Sequence, residues 1–154
     1  MTAFKRISGF LLIISVLAFL AIQFFQIDKA EIGYDHKNSY EYIAKPPKDV
    51  KNLLTDACAD CHTSKANYPW YSSVQPFGWW IQDHIEHGRK HLNFSEWGNM
   101  DKKERVHAIE EIIETLEEKE MPLKEYTWLH KEARLSEAQV NMLVEWFSRE
   151  HPAH

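Results

Sequence analysis

Cysteine is almost missing from this chain: 154 residues contain two, at positions 58 and 61. Any thiol chemistry therefore rests on one pair. Glycine and proline are scarce, at five and six, which argues against a large disordered or repetitive region. Basic charge is not in excess. Against 18 Lys and Arg stand 23 Asp and Glu, a formal net charge of −5. Phosphate binding needs a basic surface, so no nucleic-acid partner is expected. Convincing strand alternation is absent, and no segment repeats another. Aromatic residues, by contrast, are plentiful: six Trp, six Tyr and eight Phe. That much ring area suits a dense small core or the walls of a large flat ligand.

One long apolar run exists, at the start. Lys5 and Arg6 precede a stretch from Ile7 to Phe25 without a charge. As a helix it reaches about 28 Å, close to the ~30 Å hydrocarbon core of a bilayer. A cleavable signal sequence is the competitor, but Ala18-Phe19-Leu20-Ala21 is a poor cleavage site. Basic residues before the run, and Asp28, Lys29 and Glu31 after it, orient such a span with its N-terminus inside. The expectation is an anchor or signal sequence over residues 1–27, a tether over 28–45 and a folded domain over 46–150. That domain would lie in the periplasm, tethered to a bacterial inner membrane by a single pass.

Helical periodicity dominates the rest. Val50, Leu53, Leu54 and Ala57 share one face after Pro46 and Pro47. Residues 63–77 read as an aromatic-rich loop, followed by a helix with Phe77, Trp80, Ile81, His84 and Ile85 on one side, closing near Gly88. Asp101 and Glu104 form a capping box before a stripe of Val106, Ile109, Ile113 and Leu116. Ser136 and Gln139 form a second box, with Leu135 and Val140 at the staple positions, before Leu143, Val144 and Phe147. The predicted class is all-α, with about four helices in the domain.

The cysteines lie in "CADCH", residues 58 to 62. A disulfide across so short a loop constrains little chain and gives His62 no role. A thioredoxin-like pair needs βαβ patterning, which is lacking. Zinc completed by His84, His87 or His91 lacks finger spacing. Covalent haem accounts for the whole string: each thiol forms a thioether to a vinyl group, and the next imidazole lies beneath the iron as an axial ligand.

An early helix ending in "CADCH", a late "MP" and a terminal helix after "LS" resemble a small class I cytochrome c. Residues 46–147 more closely resemble the bacterial, often membrane-anchored haem-binding domain family. The matching blocks are "CxxCH…PWY…P", "HIEHGRKHLNFSEW" and "MPLKEYTWLHKEARLS". The resemblance implies a cytochrome c-like helical fold and haem c attached through Cys58 and Cys61. It also implies Met121 as the second axial ligand; among the remaining residues, His130 is the alternative, with His84 behind it. Pro76 is expected to supply a carbonyl to His62. Trp70 and Tyr71, with Tyr68 and Trp79, are candidates to wall the ring, and Arg89 to pair with a propionate.

No acid, base or nucleophile constellation stands out, so no catalytic residue is expected. The resulting expectation is a monohaem c-type cytochrome passing single electrons to redox partner proteins of the membrane or periplasm. The alternative is a sensor or peroxidase-like protein with an open or labile sixth position.

Overall fold

The computed structural model describes residues 2–30 and 32–150. Among them are eight α-helices and no strand. These are α1 (Thr2–Ile22), α2 (Tyr40–Ala44), α3 (Lys48–Ala57), α4 (Ala59–His62), α5 (Phe77–His91), α6 (Lys102–Glu117), α7 (Lys124–Leu129) and α8 (Glu137–Glu150). Short 3-10 turns occupy His36–Asn38, Trp70–Ser73, Phe94–Asn99 and Lys131–Ala133. The four helices expected in the domain are α3, α5, α6 and α8. The shorter α2, α4 and α7 carry too few residues for a period to register.

Two compact units make up the chain: Met1–Ala30 with Tyr68–His84, and Glu31–Asn67 with Ile85–His154. The division falls inside α5.

The second unit holds the main core. Helix α6 packs on α8, and α3 packs on α8. Ile109 and Leu116 of α6, Leu143 and Phe147 of α8, and Val50 and Leu53 of α3 are all buried. Full burial of such side chains stabilises the fold by about 1.5–3 kcal/mol each. Both capping boxes form. Asp101 Oδ1 accepts from Glu104 N at 2.8 Å, and Glu104 Oε2 accepts from Asp101 N at 2.7 Å. Gln139 Oε1 accepts from Ser136 N at 2.8 Å, and Ser136 Oγ from Gln139 N at 3.4 Å. Leu135 and Val140 pack against the core beside the second box.

Tyr40 belongs to this core, although it lies in the segment expected as a tether. It is 2% exposed. Its ring meets Trp97 edge-on at 4.8 Å and lies 5.4 Å from Phe94 and 5.6 Å from Phe147. Trp146 Nε1 donates to its hydroxyl at 2.7 Å. Close approach of Asn38 needs Gly98, where a Cβ would lie 2.8 Å from Asn38 Oδ1.

In the first unit, the end of the N-terminal segment is tied to the aromatic loop. Gln23 Nε2 donates to Gln75 O at 3.0 Å while Gln23 Oε1 accepts from Gln75 N at 2.9 Å. Gln26 Nε2 donates to Ser73 O, Lys29 Nζ to Ser73 Oγ, and Trp79 Nε1 to Phe25 O. A Cβ on Gly78 would lie 2.3 Å from Ser72 O, so only glycine fits there. Ile81 of α5 is buried, whereas Phe77 and Trp80, expected on the same apolar face, are exposed; Ile85, on the second unit's part of α5, is buried.

The N-terminal expectation is corrected. Among the described residues, no helix is long and apolar enough to cross a membrane. Helix α1 ends at Ile22, where the chain turns, so its charge-free part runs only from Ile7 to Ile22. That is about 24 Å, short of the ~30 Å hydrocarbon core. The transmembrane helix is therefore not supported, and the inner-membrane location inferred from it falls as well. Glu31 and the side chain of Lys5, both used in the charge pattern, lie outside the described residues.

Candidate metal centre

Helix α3 runs into the cysteine string. Cys58 N donates to Leu54 O at 3.1 Å as the last bond of α3. Its carbonyl accepts from Cys61 N at 3.2 Å and His62 N at 2.9 Å, closing α4. Residues three apart on a helical turn share a face, which sets both thiols on one side. Both are free and half-buried. Burial pushes the Cys58 thiol up to about 12, with the Cys61 thiol adding to the effect. Burial likewise pushes Cys61 up to about 11, with the Asp60 carboxylate adding and the Arg89 guanidinium opposing. A redox dithiol needs a lowered thiol pKa, and burial moves both thiols of this pair the other way.

His62 is held by backbone. Its Nδ1 lies 3.1 Å from Gly88 O and 3.1 Å from Leu92 O. Carbonyls only accept, so Nδ1 carries the hydrogen and Nε2 keeps its lone pair. Leu92 directly follows the last residue of α5, where helix carbonyls lack intrahelical partners. Burial pulls the His62 pKa below its ordinary value, opposed by these two bonds, and the ring stays neutral at pH 7. Phe94 meets the imidazole edge-on at 6.5 Å. A Cβ on Gly88 would lie 3.4 Å from His62 Cε1.

The chain after His62 is fastened too. Arg89 Nε donates to Thr63 O at 2.7 Å, and Arg89 Nη2 to Ser64 O at 3.4 Å. Buried Ser64 donates its N–H to Ser95 Oγ at 3.0 Å and accepts from Asn93 Nδ2 at 3.1 Å. Arg89, expected at a propionate, thus spends two donor positions on backbone carbonyls.

The carbonyl role expected of Pro76 is filled by Gly88 and Leu92; Pro76 O accepts instead from Trp80 N at 3.2 Å. Trp70 is 81% exposed and meets Tyr71 edge-on at 5.8 Å. Trp70, Tyr71 and Pro76 belong to the first unit, the cysteines and His62 to the second. Trp79 is committed to Phe25 O, and Lys29 Nζ lies 5.8 Å from the ring centre of Tyr68.

Met121 sits in the loop between α6 and α7, 36% exposed, its N–H donating to Thr115 O at 3.2 Å. The Met121–Pro122 bond is cis. His130 Nδ1 lies 3.1 Å from Glu132 Oε1, and its ring stacks on Tyr126 at 4.1 Å. His84 Nδ1 lies 2.8 Å from Trp80 O. Among the described residues, no three His, Cys, Asp or Glu side chains gather as a metal-ion site. The Cys2His2 zinc set is accordingly not assembled there.

The two functional groups missed from the sequence are the carbonyls of Gly88 and Leu92. One signal was present: Gly88 stands inside a helical pattern, where glycine costs about 1 kcal/mol against alanine and so points to a packing reason.

A neutral imidazole with a fixed tautomer and an unprotonated Nε2 is a suitable axial ligand for haem iron, so the donor set fits that group. No curated protein and no solved structure matches the chain. The model of the haem-binding domain family matches residues 17–149, beginning inside α1 and ending in α8. With its imidazole so held and the match running over most of its length, the chain belongs to the haem-binding domain family and is a haem-binding protein.

Proposed function

We propose that this protein is a monohaem c-type cytochrome that passes single electrons between redox partner proteins. In this reading Cys58 and Cys61 each add sulfur and hydrogen across one vinyl group, so a thioether forms and nothing is oxidised. His62 and Met121 would hold the iron, which when bound would supply the one-electron couple. The observation that carries the reading is the pair of 3.1 Å contacts from His62 Nδ1 to Gly88 O and Leu92 O. They hold the ring in one tautomer and one orientation. Little rearrangement on electron transfer is what a carrier requires. The "CADCH" string and the late "MP" likeness to small class I cytochromes c support the same assignment.

The exposure of Met121 favours one second reading, a sensor or peroxidase-like protein with a labile sixth ligand. Carbon monoxide separates the two. Absence of binding to the ferrous protein, together with a weak Met–iron band in the ferric spectrum, supports the electron carrier. Rapid binding, with no such band, supports the sensor or peroxidase.

A further inference from the structure

Asp60 lies between the two cysteines, in α4. Its Oδ2 accepts a hydrogen bond from Tyr126 Oη at 2.5 Å, a short contact across 66 residues of sequence. Both residues are half-buried. Burial works against the Asp60 charge, and the Tyr126 hydroxyl offsets part of that cost. The Tyr126 ring lies flat on His130, with centroids 4.1 Å apart and planes 7° apart. His130 in turn reaches Glu132 at 3.1 Å. Tyr126 is therefore fixed at both its hydroxyl and its ring face.

Five residues before Tyr126 stands Met121. The segment between them is tied at its start by Met121 N donating to Thr115 O, and at its end by the Tyr126 bond. Of these two ties, only the second reaches α4, which carries Cys61 and His62 and directly follows Cys58. We infer that Tyr126 is a positioning residue whose bond to Asp60 holds the Met121 segment to the cysteine–histidine turn, and so sets how firmly Met121 stays on the iron. The inference rests on the proposed role of Met121. A charge-assisted hydrogen bond is among the stronger single contacts, and its loss removes one of the ties at the far end of the six-residue segment.

The test uses the full-length protein with haem attached, in wild-type form and as Tyr126→Phe, with imidazole as the competing ligand. Trp128→Phe, on the same helix at an exposed position, is the control. The expected result is a weakened Met–iron band and about tenfold tighter imidazole binding in Tyr126→Phe, with both unchanged in Trp128→Phe. Asp60→Ala should match Tyr126→Phe, and combining the two should add nothing further; this second route also serves if Tyr126→Phe fails to mature. A wild-type Met–iron band with the same imidazole affinity in all variants would overturn the tether while leaving Met121 as ligand. No Met–iron band in the wild type would overturn the ligand assignment, and the tether with it.

Discussion

Gly88 offers a graded test of the geometry around His62. An added Cβ would lie 3.4 Å from His62 Cε1, 3.4 Å from Cys61 O and 3.6 Å from His62 Nδ1. These are ordinary contact distances, so alanine fits with the ring in place. In a helix interior alanine is also favoured over glycine by about 0.8–1 kcal/mol. Gly88→Ala should therefore leave stability within about 1 kcal/mol of wild type, on the stable side, with an unchanged spectrum. Valine adds two methyl groups to a Cβ already in contact on the side facing the imidazole and the Cys61 carbonyl. Overpacking of this kind costs about 1–3 kcal/mol, and here the movable neighbour is the ring. Gly88→Val should lower the urea midpoint and also perturb the haem spectrum by displacing His62 from Gly88 O and Leu92 O. Urea unfolding followed by fluorescence, with optical spectra of the haem form, reads both effects. If valine matched alanine in stability and spectrum, the described approach of α5 to His62 would be wrong.

Asp101→Ala removes one half of a formed capping box and should cost about 1 kcal/mol in urea unfolding; no loss would mean that water replaces the cap without penalty. Leu143→Ala, at a fully buried position between α6 and α8, should cost about 2–5 kcal/mol by the same measurement. Burial holds the Tyr40 hydroxyl well above its ordinary pKa, with the Trp146 bond opposing. The unfolded chain thus releases this proton first, above roughly pH 10. Stability from this group is complete below that pH and is lost as pH rises toward the folded value. Urea midpoints at pH 8 and pH 11 should then differ less in Tyr40→Phe than in wild type, and equal differences would argue against a buried Tyr40.

Residues whose role is written in side-chain type and spacing were readable in advance. Asp101 with Glu104 and Ser136 with Gln139 declare helix starts, and Ile109, Leu116, Leu143 and Phe147 declare faces by their period. The "CADCH" string pointed to haem, and the family match bears out haem binding; the roles of Cys58, Cys61 and His62 in it belong to the proposal. Groups that act through backbone were not readable. The partners of His62 are carbonyls, which every residue has, so no side chain marks Leu92. Tyr40 is a single core ring on a five-residue helix, too short to show a period. The end of α1 is governed by turning at Ile22 and by Gln23 pairing with Gln75, 52 residues away. Composition alone carried the apolar run on to Phe25, and that is why an anchor was expected.

The central claim is that the two thiols are joined to the haem. Intact and peptide mass spectrometry of protein matured with the haem-attachment machinery tests it directly. The account predicts a chain heavier by one haem, with the added mass on the peptide holding Cys58 and Cys61 and no disulfide between them. A chain of unmodified mass, from which haem separates on acid extraction, would contradict covalent attachment.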